Sequence, residues 1–261
     1  MCLIAIGWRA HPRWRLAIIA NRDEFHGRPA APAARDPQRP DIYGGRDLQA
    51  GGSWLLASTH GRLAAVTNVR AGLQGEAAPR SRGALVHGFV EGTSSAKGFL
   101  DALAPIATEY GRYNLLAWDG AHLHFASNHL HHVTHAVEPG LHAMSNGAFD
   151  ARWPKSGHAT RALEAWLASP ASQGVVDGAA LAPLFAALAD TTPAPDAALP
   201  DTGVGLDLER ILSPPFVRGA RYGTRCSTVV LVDADSILFV EHRFGPEAQR
   251  LGESWAALPR Q

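Results

Sequence analysis

The first 25 residues, MCLIAIGWRAHPRWRLAIIANRDEF, set the start of the predicted fold. Residues 2–8 and 14–20 are short apolar runs rich in strand-forming residues, and the polar segment 10–13 between them contains a proline. Two such runs joined by a polar turn are typical of a β-hairpin. In an antiparallel hairpin the first strand starts beside the end of the second, so we expect Cys2 to lie close to residues 21–23.

Groups of strands and groups of helices follow along the rest of the chain. Residue patterns predict strands at 54–59, 62–68, 113–118, 122–127, 133–137, 141–144, 227–232 and 236–241, and helices at 81–91, 94–110, 156–168 and 179–188. The proline-rich segment 28–40 is predicted to be an ordered loop or an extended crossing segment, and segment 190–205 is predicted to be a loop. Because strict βαβ alternation is absent, the pattern favours an α+β class with sheet and helix layers. The chain has 261 residues and no internal repeat or low-complexity linker, which predicts one domain over residues 1–261.

Charge and composition exclude several classes of partner. Twenty-four basic and 24 acidic residues cancel, so no basic field would attract nucleic acid or an anionic membrane. No apolar stretch approaches the roughly 20 residues of a membrane-spanning helix, and the run at 1–8 is too short for a signal sequence. The chain has two cysteines, Cys2 and Cys226, which favours a reducing compartment. The sequence alone does not exclude one disulfide bond between them. We therefore expect a cytoplasmic protein that binds a small molecule; the sequence predicts no oligomeric state.

Cys2 is the first candidate for chemistry. Removal of Met1 would place a thiol and a free α-amine on one residue, and the ordinary pKa values of these groups are both about 8. Such an amine can accept the thiol proton, so nucleophile and base would come from the same residue. The alternative is that Cys2 is a small buried apolar residue.

The polar residues after the second strand are the second candidate. A carboxylate within Asn21-Arg22-Asp23-Glu24 could hold the N-terminal ammonium, and Arg22 could stabilise a thiolate or an anionic substrate. The alternative is the solvated end of a strand.

Ten short motifs extend this signal along the chain. They are Met1-Cys2, NRDEF at 21–25, RP at 28–29, GGRDLQAGGSW at 44–54, TNVR at 67–70, SRG at 81–83, YNLL at 113–116, SN at 145–146, WPK at 153–155 and YGTRCSTVVLVD at 222–233. In this order they resemble the NRDE family, also called the transport-and-Golgi-organisation family. The resemblance implies a four-layer αββα sandwich similar to N-terminal-nucleophile hydrolases. It also implies a link to lipid or acyl-CoA homeostasis and to haem trafficking.

A more distant resemblance to penicillin V acylases and bile salt hydrolases implies roles for individual residues. Cys2 matches their nucleophile, Asp23 the aspartate that contacts the α-amine, and Arg225 a late arginine. Asn68 and Asn146 match the two residues of the oxyanion hole. Their early arginine would fall on Ala20, whereas this chain has Arg22. Read without the resemblance, the two asparagines are ordinary turn residues and Arg225 is a surface strand residue.

The expected site therefore consists of two sets of residues. Cys2, Asp23, Asn68, Asn146 and Arg225 form the catalytic set, and Asn21, Arg22, Glu24 and Trp54 the substrate-binding set. Trp54 and its glycine-rich segment are equally compatible with core packing.

Two functions compete at this stage. The leading one is a cysteine amidohydrolase that cleaves a C–N bond in a small or acyl-chain amide and requires no cofactor. The alternative is a binding or trafficking protein for a hydrophobic ligand, either haem or an acyl-CoA. Seven histidines between residues 122 and 142 include candidate haem or metal ligands, but their spacing matches no zinc motif, so we expect no metal site.

Overall fold

The computed structural model describes residues 2–73 and 78–261. Its strands are β1 (Cys2–Trp8), β2 (Leu16–Phe25), β3 (Ala30–Arg35), β4 (Ile42–Asp47), β5 (Leu55–Ser58), β6 (Arg62–Asn68), β7 (Tyr113–Trp118), β8 (Leu123–Ser127), β9 (Val133–Ala136), β10 (Gly140–Met144), β11 (Tyr222–Val232), β12 (Ser236–Phe244) and β13 (Arg250–Pro259). Its helices are α1 (Gly83–Glu91), α2 (Ala96–Ala102), α3 (Pro154–Leu167), α4 (Gly178–Leu188) and α5 (Leu206–Ile211).

The strands form two antiparallel sheets. The first sheet has the order β10-β1-β2-β11-β12-β13, and the second runs β3-β4-β5-β6-β7-β8-β9. The predicted hairpin of β1 and β2 is present, with Ile6 opposite Ile18. Strand β11 pairs with the other side of β2, so β2 lies inside the first sheet.

Side-chain alternation divides the core into three layers. Ile4, Ile6 and Ile18 pack between the two sheets against residues such as Leu63 of β6. The intervening residues of β1 and β2, including Leu3, pack against α3 and α4 on the outer face. Helices α1 and α2 cover the outer face of the second sheet. The predicted αββα sandwich is therefore confirmed.

Several segments differ from the predicted elements. Strand β2 continues through residues 21–25, because these polar residues pair with β11. Segment 28–40, predicted to be an ordered loop or an extended crossing segment, contributes the edge strand β3, where Pro32 is tolerated because the outer edge needs no N–H donor. Strands β4 and β13 and helix α5 were not predicted, and the predicted helix at 94–110 ends at Ala102 and continues as a 3₁₀ turn containing Pro105.

Candidate active site at one end of the sandwich

The backbone register brings the predicted nucleophile position to the centre of the site. Cys2 pairs with Arg22 on β2, and Arg22 pairs with Cys226 on β11. On its other side β1 pairs with β10, with Ile4 opposite Met144. When this antiparallel register is continued by two residues, back along β1 and forward beyond β10, it places Cys2 opposite Asn146. Met1, whose removal is predicted, and the side chain of Cys2 lie outside the described part of the chain.

Arg22 lies on the face of β2 that is directed toward the second sheet. Its side chain is buried, and its guanidinium carbon lies 4.3 Å from the centre of the Trp54 ring. Nη2 of Arg22 is 3.9 Å from Oε2 of Glu24, whereas Nη1 is buried without a hydrogen-bond partner among the described residues. A buried guanidinium with a vacant donor is suited to an anionic group.

Asp23 lies on the opposite face of β2, toward the helices. It is 2% exposed, and its Oδ1 accepts a hydrogen bond of 2.6 Å from Oγ1 of Thr224. Burial raises the pKa of Asp23, while the positive charge of Lys155 and the hydrogen bond from Thr224 act in the opposite direction. Lys155 is itself buried in the first turn of α3, where Nζ donates to the carbonyl oxygen of Leu212 at 3.2 Å.

Lys155 and Thr224 were missed by the sequence reasoning. Both lie inside motifs that carried the family resemblance, WPK and YGTRCSTVVLVD, but the pattern gave them no role. Lysine is almost never fully buried unless it has a partner. The buried carboxylate of Asp23 supplies the charge that makes the position of Lys155 tolerable.

The two predicted oxyanion residues lie together. Asn68 ends β6, Asn146 follows β10, and Nδ2 of Asn146 donates to the backbone oxygen of Asn68 at 2.8 Å. Asn146 is fully buried, and its Oδ1 has no hydrogen-bond partner within the described chain. Because a side-chain amide has two N–H donors, this bond leaves one of them for another acceptor.

The second sheet fixes the loop that carries Asn146. Oγ1 of Thr67 donates to the carbonyl oxygen of Ser145 at 2.5 Å, and Nδ2 of Asn114 donates to that of Gly147 at 2.7 Å. Thr67 and Asn114 are buried neighbours on β6 and β7. The loop from the first sheet is therefore tied to the second sheet on either side of Asn146.

Asn21 and Arg225 have supporting positions. Nδ2 of Asn21 donates to the carbonyl oxygens of Leu188 and Pro215, both at 2.8 Å, which joins β2 to the end of α4 and to the segment before β11. Arg225 lies at an irregularity in the pairing of β11 with β2, and its Nη1 donates to the carbonyl oxygens of Phe25, His26 and Arg28. Burial and the neighbouring charge of Arg22 lower the pKa of Arg225. Both side chains thus hold the backbone around β2 in place.

A cavity of about 500 Å³ opens above these residues. Arg22, Asp23, Glu24, Trp54 and Asn68 contribute to its wall, whereas Asn21, Asn146 and Arg225 are absent from the lining that the structure describes. The remaining lining residues are Arg28, Asp47, Ala50, Ser53, Val66, Ala78, Pro79, Arg80, Ser81, Arg82, Gly83 and Gly111. Four arginines and three carboxylates give the cavity a charged wall.

Two glycines shape this wall by allowing close approach. A Cβ atom on Gly45 would lie 2.2 Å from the ring of Trp54, and one on Gly52 would lie 2.5 Å from the backbone of Gly83 at the start of α1. Such distances exclude any side chain without movement of the neighbour. The glycines of GGRDLQAGGSW therefore seat Trp54 and bring α1 against the cavity.

The histidine-rich segment lies apart from the cavity, on β8, β9, β10 and their connections. Within residues 2–73 and 78–261, no group of three or more His, Cys, Asp or Glu side chains is arranged to hold a metal ion. A search of the same residues finds no helix of the length and apolarity that crossing a membrane requires.

Comparison with known proteins gives sequence matches over nearly the whole chain. A family model described as Transport and Golgi organisation 2 matches residues 1–246. The Transport and Golgi organization protein 2 homologs of Bos taurus and Homo sapiens are 31% and 32% identical over 263 residues, and each alignment covers 92% of this chain and 92% of the relative.

Two solved structures are similar to this chain at low sequence identity. A Caenorhabditis elegans ortholog of N-acylethanolamine-hydrolyzing acid amidase has a TM-score of 0.47 and 10% identity, over 88% of this chain and 92% of that chain. A mutant conjugated bile acid hydrolase from Clostridium perfringens has a TM-score of 0.43 and 9% identity, over 92% of this chain and 88% of that chain.

Proposed function

The chain belongs to the Transport and Golgi organisation 2 family, and on that premise we propose that it is a cysteine N-terminal-nucleophile amidohydrolase. Its substrate would be a small or acyl-chain amide with a linear C–N bond. The observation that carries the proposal is the backbone register, which aligns Cys2 with Arg22 and, when continued, with Asn146 beside the charged cavity.

In the proposed reaction, removal of Met1 leaves a free α-amine on Cys2. The amine accepts the thiol proton, and the thiolate attacks the amide carbon. The negative charge that develops on the carbonyl oxygen is stabilised by the remaining N–H of Asn146 and by a donor from Asn68. One such donor is worth about 2.7–4 kcal/mol in known oxyanion holes. The protonated α-amine then gives its proton to the leaving amine, and water hydrolyses the acyl-cysteine to release the acid.

Two buried charges would support this cycle. Asp23 would hold the α-amine in place, and Lys155 would keep the buried Asp23 ionised. Arg22 would stabilise the thiolate, because it pairs directly with Cys2 across the hairpin.

Substitution of the nucleophile tests the proposal. The Cys2→Ala variant should lose all turnover in a library of acyl amides. The matched control is Cys226→Ala, which should keep its turnover; Cys226 is buried on β11, where it pairs with Arg22 from the side opposite Cys2. Unchanged turnover in Cys2→Ala would contradict the proposal.

Ligand binding without catalysis is the second candidate, and the charged wall favours it. Arg22, Arg28, Arg80 and Arg82 all line the cavity, and such a wall suits the propionates of haem or the phosphates of an acyl-CoA. Titration of Cys2→Ala with haem, followed by the Soret band, and with an acyl-CoA, followed by calorimetry, separates the two functions. The carrier function would be supported if Cys2→Ala binds one of these ligands and neither the wild type nor Cys2→Ala turns over an amide.

A further inference from the structure

A side-chain contact between His142 and Asp150 closes the loop that carries Asn146. Nδ1 of His142, on β10, lies 2.7 Å from Oδ2 of Asp150, and Nε2 of His142 lies 2.8 Å from the backbone oxygen of Glu138. Oδ1 of Asp150 accepts a hydrogen bond of 2.8 Å from the backbone N–H of Ala143, and the N–H of Asp150 donates back to the Ala143 oxygen at 2.9 Å. Asp150, the last residue of this loop, has a φ of 57° and therefore adopts the left-handed conformation.

The contacts of His142 specify its protonation state. Both ring nitrogens face an acceptor, and a neutral imidazole carries only one N–H. Only the imidazolium donates to both. The ring also stacks on Phe149, with centroids 5.5 Å apart and an interplanar angle of 25°, an arrangement that favours a cation over an aromatic face.

The charged neighbours of His142 come from several elements. The hydrogen bond to Asp150 raises the pKa of His142, burial opposes this, and the contact with Glu138 adds to the rise. His135 on β9 contacts the same Phe149 in an edge-to-face arrangement, and burial lowers the pKa of His135.

Two further groups face His142 from the α3 side. Arg152, just before α3, and Glu164, within it, line the shallow cavity beside the ring. Their opposite charges leave Asp150 as the main partner of His142.

We propose that His142 is a positioning residue, which as an imidazolium fixes Asp150 and thereby the loop 145–150 that carries Asn146. Its effect on turnover rests on the proposed function, whereas its effect on the loop does not. Because the pKa of His142 is raised above the ordinary 6.5, the closure is complete below pH 6.5 and is lost as the pH rises through the raised value. The loop is therefore expected to loosen on the alkaline side.

Hydrogen exchange and NMR test the closure without any substrate. In the wild type at pH 6, the ¹⁵N shifts of His142 should show both nitrogens protonated, with a titration midpoint above that of His135. Asp150→Asn tolerates the left-handed conformation and keeps an acceptor oxygen but removes the negative charge, so protection of the Ala143 amide should fall about tenfold as a charge-assisted hydrogen bond becomes a neutral one. His135→Gln is the control and should leave that protection unchanged.

Each outcome decides the closure. A neutral His142 at pH 6, or equal protection of the Ala143 amide in the wild type and in Asp150→Asn, would overturn the proposal. A pH profile of kcat/KM then separates the closure from the proposed function. In the wild type kcat/KM should fall on the alkaline side, whereas His142→Gln should show no such fall and should remain at the lower rate throughout. If no form of the protein turns over any amide while the exchange result holds, the proposed function fails and the closure stands.

Discussion

Thr224 connects the buried carboxylate of Asp23 to the backbone, and its replacement by valine gives a quantitative test of the site. Oγ1 of Thr224 donates to Oδ1 of Asp23 at 2.6 Å and accepts from the backbone N–H of Val217 at 2.9 Å. The Thr224→Val variant keeps the shape of the side chain and removes these two hydrogen bonds from buried groups. Each loss costs about 1–3 kcal/mol, so we expect the free energy of unfolding to fall by about 2–6 kcal/mol.

Urea unfolding at pH 7, with an unchanged m-value, measures this loss. Thr224→Ser is the matched control, because it keeps the hydroxyl and removes one methyl group at a cost of about 1 kcal/mol. Burial raises the pKa of Asp23, so the carboxylate becomes protonated as the pH falls through that raised value. The difference between the two variants should therefore be largest above the pKa and should shrink in acid. Equal unfolding midpoints for Thr224→Val and Thr224→Ser at pH 7 would refute this account of Asp23.

Two other substitutions test the walls of the cavity. Gly45→Ala should displace the Trp54 ring from Arg22, which would shift the tryptophan emission, and should lower the free energy of unfolding by about 1–3 kcal/mol. An unchanged emission spectrum and melting temperature would count against the close packing of Gly45 and Trp54. Glu209→Gln breaks a buried ion pair with Arg70, whose Nη2 lies 2.6 Å from Oε2 of Glu209, and should lower the free energy of unfolding by about 3–5 kcal/mol in a thermal melt. A loss below about 1 kcal/mol would contradict the buried character of the pair, since surface pairs contribute no more than that.

The sequence supported the fold where apolar alternation was strong. The hairpin of β1 and β2, the pair β7 and β8 and the helices α3 and α4 form close to their predicted positions, because each buries one regular apolar face. The family resemblance carried by the motifs is confirmed by the match over residues 1–246. Strand β13 escaped prediction because most of its residues are partly or fully exposed, which leaves little apolar signal.

The site was predictable in position but only partly in detail. Hairpin geometry alone placed Cys2 near Arg22 and Asp23, and the structure pairs Cys2 with Arg22. The contact between Asn68 and Asn146 joins segments 78 residues apart, and no local pattern encodes it. Lys155 was unpredictable for the same reason, since the buried carboxylate whose pKa it influences, Asp23, lies on a strand distant in sequence.

The central claim is that Cys2, with a free α-amine, is the nucleophile. Its most direct test is the intact mass of the purified chain before and after reaction with an acyl amide, followed by peptide mapping. The account predicts a chain that lacks Met1 and gains one acyl group on Cys2, with Cys226 unmodified. A chain that retains Met1, or that turns the amide over without any adduct on Cys2 in rapid-quench samples, would contradict it.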